Sequence, residues 1–132
     1  MRSDEHIASV RESLQVIKEA IQIGIGQRQR TIGFHCSAAA VDILELYLHE
    51  RDAISPGKVI KHDFFTSERK AKSKLPEQFD EKEQIIALLV RLEEKRNSLC
   101  YGKLKPKEDV ENYLTLFRKI REFFDQRGVT YE

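Results

Sequence analysis

Three side chains near residue 100 have the types needed to bind a phosphate group. Arg96, Asn97 and Tyr101 lie close together at the end of a helical pattern that Gly102 stops. At about 100° per residue, Arg96 falls in the middle of an apolar stripe, with Asn97 and Tyr101 on one shoulder of it. A guanidinium is always charged and matches a phosphate with paired hydrogen bonds. The cluster therefore predicts an anion or phosphate site facing other protein.

A structural role for Arg96 fits the same pattern. The stripe around it consists of Ile85, Leu88, Leu89, Leu92 and Leu99. An arginine at such a position can pack its stem on apolar neighbours and pair its head with a carboxylate or with helix-end carbonyls. Both interpretations place the guanidinium against protein, and both stay open at this point.

Other chemistries lack a pattern in this chain. The histidines, His6, His35, His49 and His62, are scattered, and no pair sits at ligand spacing with a third donor. The Gly24-Ile25-Gly26 stretch lacks the third glycine and the preceding strand of a dinucleotide site. Cys36 and Cys100 are isolated within apolar helical patterns, which predicts two reduced, buried thiols. The sequence thus predicts no metal ligand and no cofactor.

Length and composition bound the class of protein. The chain has 132 residues, the size of one domain, and we assign residues 1–132 to a single domain. Its 23 basic and 22 acidic residues give a net charge of +1, so any electrostatic binding must come from local patches. No apolar run reaches the roughly 20 residues of a membrane span, and the N-terminus lacks a signal-peptide pattern. We expect a cytoplasmic protein with no membrane partner.

The hydrophobic periodicity predicts helices throughout. They are expected from the N-terminus to about residue 25, at 31–50, 62–73, about 81–101 and about 106–127. Asp80 and Glu83 resemble a capping box at the start of the fourth helix. The predicted fold is all-α, an up-and-down four-helix bundle with an additional short helix in the crossover over residues 51–80. Residues 58–74 of this crossover carry six basic and two acidic side chains, the strongest local positive patch; it is either a solvated helix face or a ligand contact.

The motif near residue 100 also resembles a known family. Arg96-Asn97-Ser98-Leu99-Cys100-Tyr101-Gly102 is similar to the signature of HEPN domains, in which an arginine, usually followed by a polar residue, precedes a histidine by a few positions. The alanine-rich stretch 34–44 and Lys61-His62-Asp63 resemble the family's second helix and the histidine-containing segment of its crossover. The resemblance covers roughly residues 5–125.

This resemblance implies a symmetric homodimer with two arginine-bearing helix ends in a shared cleft. Active HEPN proteins are metal-independent ribonucleases, often toxins held in check by a small nucleotidyltransferase partner. Others are non-catalytic dimerisation or nucleotide-binding modules. The chain departs from the signature at Tyr101, which stands where the motif has histidine. Imidazole titrates at about 6.5 and phenol at about 10, so tyrosine is the poorer acid-base group near neutral pH.

We therefore predict a HEPN-like homodimer that binds RNA or nucleotide phosphate, with degenerate catalysis. Arg96 and Asn97 are the predicted binding residues, and His35 and His62 are the imidazoles that could reach the same ligand from elsewhere. The enzyme alternative is a metal-independent ribonuclease toxin in which Arg96 and Tyr101 act with an outside histidine. A third alternative is a non-catalytic interaction module, the partner of a nucleotidyltransferase antitoxin, in which Arg96 is a structural bridge.

Overall fold

The protein is all-helical. The structure, a computed structural model, describes residues 3–131. It contains α1 (Ser3–Ile23), α2 (Gln29–Glu50), a 3₁₀ helix (His62–Thr66), α3 (Glu68–Lys74), α4 (Lys82–Cys100) and α5 (Lys107–Asp125). No strand forms within the described residues. The predicted all-α class is confirmed.

Helix α2 is the central element of the core. It contacts α1, α4, α5 and the 3₁₀ helix, because apolar and small side chains surround most of its circumference. Its length and composition would allow it to cross a membrane, but 67% of the apolar window lies buried inside the protein. It is therefore the buried core helix of this fold, and it meets those criteria alone among residues 3–131.

Helices α1 and α2 form an antiparallel hairpin. The connection begins at Gly24, whose φ of +147° favours glycine. Gln29, at the start of α2, is 1% exposed and anchors this turn. Its amide donates to the carbonyls of Gly26 and Lys105 at 3.1 and 3.2 Å and accepts from the Lys105 amide at 2.8 Å. The α1–α2 turn is thereby joined to the link between α4 and α5.

Helices α2, α4 and α5 meet at Gly33. A Cβ placed there would lie 2.7 Å from the Cys100 sulfur and 3.4 Å from the Leu99 Cβ, so only glycine allows α4 to approach this closely. The Gly33 carbonyl accepts a hydrogen bond of 2.8 Å from the Tyr113 hydroxyl of α5. These contacts place the start of α2 beside the end of α4, where the predicted site lies.

The crossover contains two short helices instead of the single predicted one. Ser67 is extended, with φ −152° and ψ 161°, and separates the 3₁₀ helix from α3. Its hydroxyl accepts from the Lys70 amide at 3.0 Å, which makes it the N-cap of α3. Serine at this position therefore starts a new helix and ends the preceding one.

The predicted capping box of α4 is wrong. Glu81 adopts a left-handed conformation with φ +61°, and the helix begins after it, at Lys82, without a side-chain cap. Asp80 consequently lies outside the cap position. The Glu81 carboxylate instead accepts a hydrogen bond from Arg127, which ties the start of α4 to the residues after α5.

Candidate functional site

Arg96 is buried within the apolar stripe of α4, where the periodicity placed it. The side chains of the stripe, Ile85, Leu88, Leu89, Leu92 and Leu99, are buried or half-buried. Arg96 itself is only 7% exposed. The guanidinium thus stands among side chains that face other helices, as the sequence predicts.

The guanidinium has few partners for a buried charge. Its Cζ lies 4.8 Å from the ring centroid of Phe34, a cation–π distance. Nη1 donates to Asn97 Oδ1 at 3.3 Å, and its nearest carboxylate oxygen, Oε1 of Glu93, is 3.8 Å away. The Nε–H has no hydrogen-bond partner among the described residues. Most of the hydrogen-bonding capacity of Arg96 is therefore unused by the protein.

His62 reaches the same site through Glu93. Its Nδ1 lies 2.9 Å from both carboxylate oxygens of Glu93, and Glu93 is 4% exposed. The imidazole belongs to the 3₁₀ helix of the crossover, whereas Glu93 lies one turn before Arg96 on α4. A carboxylate that holds one ring nitrogen orients the ring and leaves the other nitrogen for proton exchange. The structure thus connects the predicted His62 to Arg96 through one intervening side chain, that of Glu93.

A second arginine lies on the same aromatic ring. The Cζ of Arg30 is 5.8 Å from the Phe34 centroid, and Arg30 is exposed at the start of α2. Phe34 is therefore in contact with two guanidinium groups, one buried and one in solvent. Sequence reasoning did not select Arg30, Phe34 or Glu93 for the site. The spacing of Arg30 and Glu93, each one helical turn from a site residue, is a weak signal that could have suggested them.

Tyr101 lies at the rim of the site. It is 58% exposed, and its ring meets Phe34 edge to face with centroids 6.3 Å apart. The prediction that Asn97 and Tyr101 share one helix face is wrong, since α4 ends at Cys100 and Tyr101 is extended. Gly102, with φ +83°, carries the chain away from the helix. No direct bond joins Tyr101 to Arg96 among the described residues.

His35 is not joined to this site by a hydrogen bond or ion pair between described residues. It is half-buried on α2, and its Nδ1 has no hydrogen-bond partner in residues 3–131. Its neighbour in sequence, Phe34, makes the contact with Arg96 instead. At the start of α2, the side chain in contact with the guanidinium is therefore the aromatic ring of Phe34.

Part of the basic segment 58–74 is used to fasten the crossover. Lys58 Nζ donates to the Lys74 carbonyl at 2.7 Å and lies 3.0 Å from the Glu77 carboxylate. Lys72 and Glu83 are 3.8 Å apart, but both are exposed, so this pair contributes little. Lys58 thus holds the two ends of the segment together, which is a structural task.

A second group of polar residues lies between α1 and α2. His6, Glu45 and His49 each offer a ligand atom, and these atoms lie within 4.8 Å of one another. The sequence assigned no metal ligand, because His6 is far from the other two in the chain. Glu45 and His49 are one helical turn apart, the one local signal for this cluster.

Comparisons with known proteins add no relatives. The chain matches no protein-family model, and no curated protein or solved structure is significantly similar to it.

Proposed function

We propose that this protein is a HEPN-like helical bundle that forms a homodimer and binds the phosphate of RNA or of a nucleotide through Arg96 and Asn97. The cleft is shared by two subunits, catalysis is degenerate, and the protein works in the cytoplasm. The observation that carries the proposal is the buried Arg96 guanidinium, which the protein itself satisfies only in part.

The hydrogen bonds of Arg96 distinguish a structural ion pair from a ligand-binding side chain. A buried charge retained only for structure is expected to be paired and fully hydrogen-bonded, because burying it otherwise costs several kcal/mol. Arg96 has five N–H donors. It makes one hydrogen bond, of 3.3 Å, and its nearest carboxylate is at 3.8 Å. A phosphate supplies several strong acceptors and would use the donors that remain.

The surroundings of the guanidinium suit a nucleotide or an RNA strand. The guanidinium of Arg30 also contacts the Phe34 ring, so a second positive charge lies near the site. Asn97 is exposed beside Arg96 and can offer its amide to the same ligand. Phe34 and Tyr101 provide aromatic surface, on which bases stack without sequence preference.

The homodimer rests on the resemblance and on exposed apolar surface. Tyr101 is 58% and Leu104 73% exposed, both just after α4. Tyrosine and large aliphatic side chains on a surface are typical of contacts with other proteins. A second subunit covering them would enclose the two Arg96 side chains in one cleft. A nucleotidyltransferase antitoxin is the heterologous partner that could occupy the same surface.

An active ribonuclease is the second candidate, favoured by the pair His62 and Glu93. In that case, His62 takes the proton of a ribose 2′-hydroxyl, the 2′-oxygen attacks phosphorus, and the 5′-oxygen leaves with a proton returned to it. Arg96 stabilises the charge that develops on the phosphate. Tyr101, exposed on the rim, is the other acid-base group in this mechanism. The reaction needs no metal.

Binding is tested with a fluorescently labelled single-stranded RNA and a 5′-nucleotide, using anisotropy and calorimetry. Arg96→Met should weaken binding about 10- to 100-fold, the effect of losing hydrogen bonds to a charged group. Arg30→Met should have a smaller effect, since Arg30 is exposed. Arg91→Met, a change of the same type at an exposed position of α4, serves as the matched control and should leave affinity within a factor of about two.

Several outcomes contradict the phosphate site. They are the absence of binding at high protein concentration, an equal loss in Arg91→Met, or a marked drop in stability of Arg96→Met with binding intact. The last result would identify Arg96 as a structural bridge and favour the interaction module. Light scattering on the same samples reports whether the protein is dimeric.

The same RNA, incubated with chelator present and analysed on a gel, distinguishes binding from cleavage. Degenerate catalysis predicts intact RNA. Cleavage that is lost in both Arg96→Met and His62→Gln would establish the ribonuclease instead. Circular dichroism in the chelator buffer ensures that the protein is folded during the assay.

A further inference from the structure

The two ends of the α1–α2 hairpin bury a group of metal-binding side chains away from Arg96. His6, at the start of α1, is 0% exposed, and Glu45 and His49 lie on successive turns at the end of α2. The imidazoles stack with centroids 5.5 Å apart and planes at 25°. Asp42, one turn before Glu45, lies beside His6.

These side chains are close together without satisfying one another. His6 Nδ1 is 3.5 Å from Glu45 Oε2 and 3.7 Å from Asp42 Oδ1, and His49 Nε2 is 3.8 Å from Glu45 Oε1. None of these is a hydrogen-bond distance. Both ring nitrogens of His6 and Nε2 of His49 have no hydrogen-bond partner among residues 3–131. A fully buried histidine with both nitrogens unsatisfied requires an explanation.

Burying these incompletely paired ionisable side chains costs free energy of folding. Burial raises the pKa of Glu45, and burial with the nearby Glu45 raises the pKa of Asp42 to about 6. Burial and the neighbouring His49 lower the pKa of His6. The largest cause of each of these pKa shifts is burial, the transfer of charge-bearing groups out of water. A cation placed between neutral imidazoles and carboxylates would supply the missing partner for each group.

We propose that His6, Glu45 and His49 bind a single zinc-class divalent ion, with Asp42 as the fourth ligand, and that this ion joins the start of α1 to the end of α2. In a tetrahedral site, ligand atoms about 2.1 Å from the ion lie about 3.4 Å apart. The three ligand atoms, which lie within 4.8 Å of one another, must therefore come closer by up to about 1.4 Å when the ion binds. This site is separate from the proposed phosphate cleft, and each can fail without the other.

The choice of ion follows from the donor set. Two imidazoles with carboxylates suit Zn²⁺ and its first-row neighbours, whereas Mg²⁺ and Ca²⁺ prefer oxygen ligands alone. A hydrogen bond to Glu45 also supports a metal site. Glu45 Oε1 accepts from the Ile60 backbone amide at 3.2 Å. Such outer contacts orient a ligating carboxylate. The crossover backbone thereby holds Glu45 in position.

The test uses the full-length, tag-free protein after metal depletion. Titration with Zn²⁺ in a calorimeter should give one ion per chain, and Co²⁺ should develop the visible bands of a tetrahedral site. Zn²⁺ should raise the melting temperature in a concentration-dependent manner, and Mg²⁺ at the same concentration should not. Glu45→Gln and His49→Gln should each weaken Zn²⁺ binding by more than the roughly 10- to 100-fold caused by loss of an outer-shell contact.

Controls distinguish this site from surface histidines. Glu45→Gln retains an acceptor for the Ile60 amide and should fold, which circular dichroism verifies. His62→Gln removes a histidine with a carboxylate neighbour outside the cluster, and it should bind Zn²⁺ as the wild type does. The proposal is overturned if the wild type binds no stoichiometric Zn²⁺, if the cluster variants bind unchanged, or if His62→Gln abolishes binding.

Discussion

Glu93 is the residue on which two features of the proposed phosphate site depend. It is 4% exposed, it holds His62 with both carboxylate oxygens, and it provides the nearest negative charge to Arg96. Glu93 holds the imidazole of His62 at 2.9 Å and lies 3.8 Å from the Arg96 guanidinium, so it keeps the imidazole near that charge. The proposed ligand-binding geometry therefore depends on a residue that need not touch the ligand.

Replacing Glu93 by glutamine should destabilise the protein. The free energy of unfolding is expected to fall by about 1–3 kcal/mol, since His62 loses a charged acceptor and Arg96 loses its nearest carboxylate. Urea denaturation measures the change. Glu94→Gln, the same substitution at the adjacent exposed position, should alter stability by less than about 0.5 kcal/mol. Equal effects of the two substitutions would show that Glu93 holds neither side chain.

At the scale of elements, the contact between α2 and α4 sets where Arg96 meets Phe34. Gly33 permits it, because its missing side chain leaves room for Cys100 and Leu99 of α4. The hydroxyl of Tyr113 fastens α5 to the same carbonyl. A helix-breaking residue within a core helix is thus explained by close packing of backbones.

Gly33→Ala should destabilise the protein although alanine favours helix. A Cβ at 2.7 Å from the Cys100 sulfur forces α2 and α4 apart, at a cost of about 1–3 kcal/mol. Thermal and urea unfolding measure it. Cys100→Ala removes the obstructing sulfur. Gly33→Ala should therefore lower the free energy of unfolding less in the Cys100→Ala protein than in the wild type. Gly57→Ala, where nothing lies within 4 Å, is the control. A stabilised Gly33→Ala protein would refute the close approach.

At the scale of the whole molecule, the reactivity of the two thiols measures local and global unfolding. Cys36 lies inside α2, seven residues after its start, and Cys100 is the last residue of α4. Both are free and buried, as predicted, and burial raises the pKa of each. A raised pKa lowers the thiolate fraction at a given pH, and the thiolate is the reactive form. Reaction with a thiol reagent therefore requires opening of the structure.

Cys100 should react before Cys36 in the native protein. The end of a helix opens locally at lower free energy than the interior of the central core helix. Alkylation at pH 8 followed by peptide mass spectrometry should show slow modification of Cys100, with Cys36 reacting only as urea unfolds the whole chain. Cys36→Ser and Cys100→Ser assign each signal. Earlier modification of Cys36 would contradict the central position of α2.

The spacing of apolar residues along the chain is enough to predict the helical class, the burial of α2 and the place of Arg96 on a buried stripe. Each of these follows from apolar residues recurring every three to four positions, a pattern that can be read within the segment that forms each helix. The burial of Cys36 and Cys100 follows from the same periodicity. The break at Ser67 and the left-handed Glu81 were not predicted, because local hydrogen bonding and backbone conformation at helix ends vary within the same residue types.

Which of these buried faces contact one another depends on how the helices pack. Periodicity shows that a helix has a buried side, but it does not identify the neighbour. The contact of Phe34 with Arg96, the approach of His62 to Glu93 and the meeting of His6 with Glu45 join residues far apart in the chain. The proposed phosphate site and the proposed metal site therefore depend on how α1, α2, α4 and the crossover pack against one another.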